Sequence, residues 1–480
     1  MNFLIFPNQL FDTKYLPKKD ISHCYLLEDP LYFGHRETMM NFNKLKLILH
    51  CASMRHYEKE LKDNGFSVKY VSYHELKDLT YKGIPKSNLN CFEVNDHLLE
   101  KRLQKKLGKL NFHPTPNFCL KTTDLEEFYS KHKSNKTLNH KDFYNFVKSK
   151  VGILKGEKSH DMENRNKIPN GTKIPSLPKI KSNDAILKES IQYVEKHFPK
   201  NYGSTTLVFP VTRKESEKWF HDFLKKKLSN FGKYQDAIVK GEDFLFHSCI
   251  SPMFNIGLLD PLHIVRESEN YFKKHSPSVG KNNYEGFMRQ VIGWREYQRY
   301  CYLYHSKDMQ KNVFKNNRKL NQKWYEGSLG IEPVDDAIKM GFEYGYLHHI
   351  LRLMVMGNFM TLCEISPSEV YRWFMEFPTD SYDWVMIQNV YSMATWSDGG
   401  FTMRKPYISS DNYILNMSNY KCGKDEWCPT WKSLYYNFMN NHQDILIKTP
   451  YGRNMVHWNK KSAEEKKEEL KLAKDFLKKI

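Results

Sequence analysis

Between residues 2 and 120, short apolar runs alternate with stretches of helical period: FLIF, CYLLE, the helical KLKLILHCASMRHYEKELKDNG, then VKYVSYHEL, NCFEV and LNFHPTPNF. Strand-length runs separated by helical patterns predict a doubly wound parallel sheet, so residues 1–130 are assigned to an α/β domain. Sheets of this kind take ligands outside the carboxyl ends of their strands. Asn8 and Gln9 follow FLIF at such an end, and Glu28 and Asp29 follow CYLL. No Gly-rich phosphate loop accompanies them, so a dinucleotide site is not predicted.

The periodicity then fades. Residues 131–200 form a connector that includes the polar KGEKSHDMENRNKIPNGTKIPSLPKIKS, rich in Lys, Asn, Gly and Pro. Residues 201–480 read as almost wholly helical and hold all nine tryptophans, Trp219 to Trp458. The last segment, KKSAEEKKEELKLAKDFLKKI, has the pattern of a solvated amphipathic helix.

Several helices in this part carry polar groups that packing alone does not require. GYLHHILRLMVMGNF spaces Tyr346, Ile350, Leu353 and Met356 as one buried helical face, yet adds His348, His349 and Arg352. FHSCISPMFNIGLLDP places His247, Ser248 and Ser251 just before Pro252, where hydroxyls and free N–H groups at a helix start suit a phosphate. GFMRQVIGWREYQRY interleaves Arg289, Gln290, Arg295 and Glu296 with Met288, Val291, Ile292, Trp294 and Tyr297. Buried charges must be paired or must bind something.

Charge narrows the choice of partner. Lys and Arg number 74 against 55 Asp and Glu, a net charge of +19, which favours a polyanion. No window approaches the roughly 18 apolar residues of a membrane span, and the opening apolar run is shorter than a signal peptide's, so an intracellular, cytoplasmic protein without membrane contact is expected. Nine scattered cysteines do not form a secreted disulfide frame.

The ordered set RQVIGWREY, SCISPMFNIGLL, LHHILRLMV and LLEDPLYF with KLKLILHCASMRHY resembles the photolyase/cryptochrome superfamily. More narrowly, it looks like the deoxyribodipyrimidine photolyase-related branch that includes the bacterial (6-4) photolyases. The resemblance spans nearly the whole chain. It implies an α/β antenna domain, a large all-helical domain holding FAD, and UV-damaged DNA as the partner of a monomer. The implied activity is reversal of (6-4) pyrimidine-pyrimidone lesions by electron transfer from excited reduced FAD. The alternatives are a cryptochrome-like blue-light photoreceptor, a cyclobutane-dimer photolyase, and a light-independent nucleic-acid-binding module.

Carried onto this chain, the resemblance implies that Tyr234, His247, Ser248, Ser251, Gln290, Trp294, Glu296, His348 and Asn389 surround FAD. Arg352 would lie beside the flavin ring, paired with Asp383. His349 would face the lesion as proton donor, with Tyr407 and Arg165 as further lesion contacts. Asp161 and Glu163, in the same loop as Arg165, would hold Mg2+. Trp373 with Tyr325 or Trp324 would carry electrons to the flavin, with Trp384 and Trp396 as further candidates. An antenna such as 6,7-dimethyl-8-ribityllumazine would meet Asn8, Gln9, Glu28, Asp29 and Lys44.

The chain departs from the family at its iron-sulfur cluster, which needs four thiolates. GIEPVDD stands where the first cysteine is expected, and MSNYKCGKDEWCPTW keeps only Cys422 and Cys428 of the remaining three. No cluster is expected, and the cysteines are read as packing residues.

Overall fold

The computed structural model describes every residue except 19, 157, 158, 181–183 and 423–426. The five apolar runs of the first part all form strands: β1 (Asn2–Ile5), β2 (His23–Leu27), β3 (Val68–Val71), β4 (Leu89–Phe92) and β5 (Leu110–His113). They make one parallel sheet in the order β3-β2-β1-β4-β5, with Asn2 opposite both His23 and Leu89. Helix Lys44–Asp63 crosses from β2 to β3, and helix His97–Leu107 from β4 to β5. After the connector the chain is helical to its end.

The strand order reverses between β1 and β4, which opens a crevice at their carboxyl ends. The helical part docks there through charged hydrogen bonds. Arg299 donates to Asn95 Oδ1 at 3.0 Å and Glu93 Oε2 at 3.1 Å, and Arg213 donates to Leu10 O at 2.9 Å. Arg36 bridges Asp96 at 2.9 Å and Asp383 at 3.2 Å, with its side chain only 7% exposed. Helix Lys44–Asp63 is buried along most of its length because it packs on the sheet and against the helical domain. His50 Nε2 meets the Tyr382 hydroxyl at 2.8 Å, and Lys46 Nζ donates to Ser381 O at 2.7 Å.

Lys46 is buried against the Phe42 ring and meets carbonyls. Burial, reinforced by Arg36, pushes its pKa down to about 7 from 10.5. Between those values the unfolded chain binds more protons than the folded one, so this lysine makes stability rise with pH across that window. Lys46→Met removes that contribution. The expected result is a shallower rise in denaturant-unfolding free energy than wild type between about pH 7 and 10.5; equal slopes would contradict the buried-ammonium account.

The core helices depart from a simple α-helical reading in a way that builds the site. Three of them widen into π-helical segments, Arg289–Trp294, Leu351–Gly357 and Gln388–Ala394. A π turn inserts one extra residue and turns the following side chains, and such turns concentrate at functional sites. The stretch GYLHHIL is also not one helix. Gly345 ends the helix Glu332–Tyr344 at φ 61°, where a Cβ would lie 2.7 Å from Thr379 Cγ2, and helical structure resumes only at His349.

Candidate active site

The three π segments converge on a cavity of about 670 Å3, inside the ~300–1,000 Å3 range of ligand and cofactor sites. Gln290 and Trp294 come from the first segment, Arg352 from the second and Asn389 from the third, while His247, Ser248 and Ser251 enter from the loop facing them. Trp294 is held flat by His140, whose ring stacks on it at 3.9 Å, and Asn389 accepts from Gln298 at 2.9 Å.

One wall is an ion pair. Arg352 donates through both terminal nitrogens to Asp380, each at 3.0 Å, and through Nε to Leu347 O at 2.6 Å. Ser251 Oγ donates to the same carboxylate at 2.6 Å, and Asn255 Nδ2 donates to the Asp380 carbonyl at 2.8 Å. Such forked pairs fix both position and orientation.

Three imidazoles pack together beside this wall. His247 and His348 stack at 4.5 Å with 11° between their planes, and His349 stands edge-on to His247 at 5.4 Å. Burial first, and neighbouring cationic groups second, push His247 and His348 well below the usual imidazole range, so both are neutral at neutral pH. Buried His247 Nε2 and Gln235 Oε1 have no hydrogen-bond partner, although both residues line the cavity. Unpaired buried polar atoms are costly. A hydrogen-bonding ligand such as FAD would satisfy them, so the residues present fit that group.

The mouth carries a chain of charges. His349 Nε2 meets Asp236 Oδ1 at 3.1 Å, Arg165 reaches Asp236 at 3.4 Å and Asp161 at 2.6 Å, and Arg289 reaches Asp161 at 3.3 Å. The His349 and Arg165 side chains remain 39% and 47% exposed. Tyr407, Tyr413 and Lys405 line the same opening. Arg165 sits at φ 67°, a left-handed conformation that non-glycine residues adopt at a cost and that gathers at functional sites. Its loop is held by Arg165 N–H to Gly232 O at 3.2 Å, and a Cβ on Gly232 would fall 2.7 Å from Asn164 Oδ1.

Several sequence-based assignments need correction. The partner of Arg352 is Asp380; Asp383 instead ties Arg36 to the Tyr302 and Tyr371 hydroxyls at the domain interface. Glu296 faces away from the cavity and accepts from the backbone N–H groups of Cys119 at 2.7 Å and Leu120 at 3.3 Å. Tyr234 packs in a separate apolar cluster with Ile168 and Phe246. His348 lies beneath His247, 1% exposed, rather than in the cavity wall. Asp161 is clamped by Arg165 and Arg289, while Glu163 faces His160 at 3.0 Å. Cys422 and Cys428 form a disulfide rather than serving as free packing thiols.

The proposed antenna side chains sit at the strand ends as expected, already engaged within the protein. Asn8 accepts from Tyr32 at 2.7 Å, Gln9 donates to Phe92 O at 3.0 Å, Glu28 accepts from Tyr73 N at 2.7 Å and Asp29 pairs with Arg102 at 3.3 Å. Lys44 heads its helix, its backbone N–H donating to Tyr202 O at 2.8 Å. Trp373 and Trp324 are both buried, the Trp373 indole donating to Trp324 O at 2.9 Å, and Phe374 separates Trp373 from the cavity. Tyr325 stacks on Tyr202 and donates to Glu376 at 2.9 Å. Trp384 lines the cavity, whereas Trp396 packs against Phe314 at 5.8 Å.

Sequence reasoning missed Gln235, Asp236, Asp380 and Lys405. Asp380 and Asp383 both occur in TDSYDW, and only the turn between the preceding and following helices decides which one faces Arg352.

Residues 3–208 match the family described as deoxyribodipyrimidine photo-lyase-related protein. The chain is 30% identical over 494 aligned positions to a (6-4) photolyase of Agrobacterium fabrum, covering 95% of this chain and 94% of that one. It is 48% identical over 129 residues to an uncharacterized protein of Acanthamoeba polyphaga mimivirus, covering 26% of this chain and all of that protein. In fold it is similar to the Synechocystis sp. PCC6803 cryptochrome, with a TM-score of 0.55 and 14% identity over 98% of this chain and 93% of that one. A bacterial class III photolyase from Agrobacterium tumefaciens gives a TM-score of 0.55 and 12% identity over 100% and 98% of the two chains. The chain belongs to the photolyase/cryptochrome superfamily, in its deoxyribodipyrimidine photolyase-related branch.

Proposed function

We propose that this protein is a light-driven DNA-repair flavoprotein that reverses (6-4) pyrimidine-pyrimidone lesions. The observation that carries this reading is the His349–Asp236–Arg165 chain at the mouth of a cavity walled by Arg352 and Asp380. FAD bound there would supply a photoexcited one-electron donor. Ser248, Ser251, His247, Gln235 and Asn389 would hold it by hydrogen bonds, and Arg352, oriented by Asp380, would stabilise negative charge on it.

The other residues handle the lesion. Repair must move a hydroxyl between two pyrimidines, which calls for a group that gives and retakes a proton. His349 is exposed at the cavity mouth and its Nε2 is held by Asp236, so Nδ1 is the ring nitrogen left to give and retake a proton. Tyr407 and Tyr413 offer aromatic faces for an extruded base, and Arg165 and Lys405 offer positive charge to the DNA backbone. Electron supply through Trp373 and Trp324 belongs to the same proposal, as does an antenna at Asn8, Gln9, Glu28, Asp29 and Lys44.

The test is light-dependent repair of UV-irradiated plasmid by reduced, flavin-loaded protein. Restored transforming activity in the light and none in the dark is expected. A flavin-loaded protein that restores nothing would favour the blue-light photoreceptor reading.

A further inference from the structure

We propose that Tyr300 is a redox-active tyrosine that gives its proton to His305 and sends its electron towards the cavity through Tyr297 and Trp294. This rests on the flavin reading for the electron's destination.

Helix Arg295–Met309 is broken at one residue, His305, with φ −136° and ψ 16°. In an unbroken helix, residues five apart point in different directions. The break instead brings His305 Nε2 to 3.4 Å from the Tyr300 hydroxyl. His305 Nδ1 faces Asp308 Oδ2 at 3.3 Å, which places the ring proton on Nδ1 and leaves Nε2 as an acceptor. Tyr300 itself is fully buried, so its phenolic proton has this imidazole rather than bulk water to go to. Burial lowers the His305 pKa, which keeps the ring neutral and ready to accept.

Aromatic rings connect this pair in both directions. Towards the cavity, Phe143 lies 5.1 Å from Tyr300 and 5.5 Å from Tyr297, and Tyr297 lies 6.1 Å from Trp294, which forms part of the cavity wall. Towards the surface, Tyr304 is 5.5 Å from Tyr300 and stacks on Tyr129 at 4.6 Å, and both outer rings are partly exposed. Aromatic clusters are ordinary in cores. A tyrosine-imidazole-carboxylate line created by a helix break is not needed for packing.

The Tyr300 O–H bond breaks, its proton forms an N–H bond at His305 Nε2, and one electron passes to a one-electron oxidant in the cavity, the photoexcited oxidised flavin. A small-molecule thiolate at the surface, oxidised to its thiyl radical, returns one electron through Tyr129 and Tyr304. The proton then goes back from His305 to the phenolic oxygen.

The test has two arms, both read by electron paramagnetic resonance of the full-length protein. In the first, flavin-free protein is oxidised by flash–quench with a ruthenium polypyridyl complex. A slowly decaying tyrosyl signal is expected, lost in Tyr300→Phe and in His305→Leu and kept in Trp373→Phe. A slow signal that survives in Tyr300→Phe overturns the proposal, and this conservative variant keeps the test valid if His305→Leu fails to fold. In the second arm, FAD is added and light replaces ruthenium. The same signal is expected in wild type and lost in Trp294→Phe. The Tyr300-dependent signal with ruthenium, in a protein that takes up no flavin, supports the redox-active tyrosine and fails the flavin reading alone. Flavin-loaded protein that shows the signal with ruthenium but none with light overturns the route to the cavity.

Discussion

His349→Ala lowers repair of a (6-4) lesion by about 10²–10⁴-fold, the usual contribution of a positioned proton-transfer group, while flavin content stays at the wild-type level. The separation of the two readouts follows from where the histidines sit. His349 opens its helix, points outward and meets Asp236 at 3.1 Å, whereas His348 precedes the helix and stacks under His247 at 4.5 Å. Removing the outer imidazole takes away the proton donor and leaves the Arg352–Asp380 wall intact. His348→Ala has the opposite signature, because it opens a void beneath His247 in a buried cluster and disturbs the cavity itself. Repair and flavin absorbance measured on the same preparations check both, and unchanged repair in His349→Ala removes it from the mechanism.

The second large effect separates two carboxylates three residues apart. Asp380→Asn leaves the guanidinium of Arg352 without its forked partner in a site where the two side chains are only 16% and 6% exposed. Breaking a buried pair by removing one partner costs about 3–5 kcal/mol. The expected outcome is protein that melts lower and is purified without flavin. Asp383→Asn acts elsewhere: it takes from Arg36 one of its two carboxylate partners and weakens the acceptor of the Tyr302 hydroxyl at the domain interface, so stability falls but flavin is retained. Thermal melting combined with the flavin-to-protein absorbance ratio distinguishes the two variants. Flavin lost from Asp383→Asn and kept by Asp380→Asn would reverse the assignment.

The sheet was the most legible part of the chain, because each strand is a short apolar run set apart by helical period, and all five runs became parallel strands. His247, Ser248, Ser251, Gln290, Trp294, Arg352 and His349 were singled out by residue type and motif, Asn389, Tyr407 and Arg165 by the family resemblance, and the fold brings them to one cavity. What could not be read was direction. Glu296 lies next to Arg295 in sequence, but helix rotation carries its carboxylate to the backbone after β5, at Cys119 and Leu120. The π turns at Arg289–Trp294, Leu351–Gly357 and Gln388–Ala394 depend on tertiary packing, leave no period in the sequence, and set which side chains enter the cavity. The Cys422–Cys428 bond joins residues across a segment whose spacing alone gives no pairing.

The role assigned to His349 makes lesion choice the sharpest test, since splitting a cyclobutane dimer needs no proton donor. Reduced, flavin-loaded protein is illuminated in one tube with two distinguishable oligonucleotides, one carrying a single (6-4) lesion and the other a single cyclobutane dimer. The account predicts that the (6-4) oligonucleotide is restored in the light and the dimer is left untouched. Restoration of the dimer with the (6-4) lesion intact would contradict it.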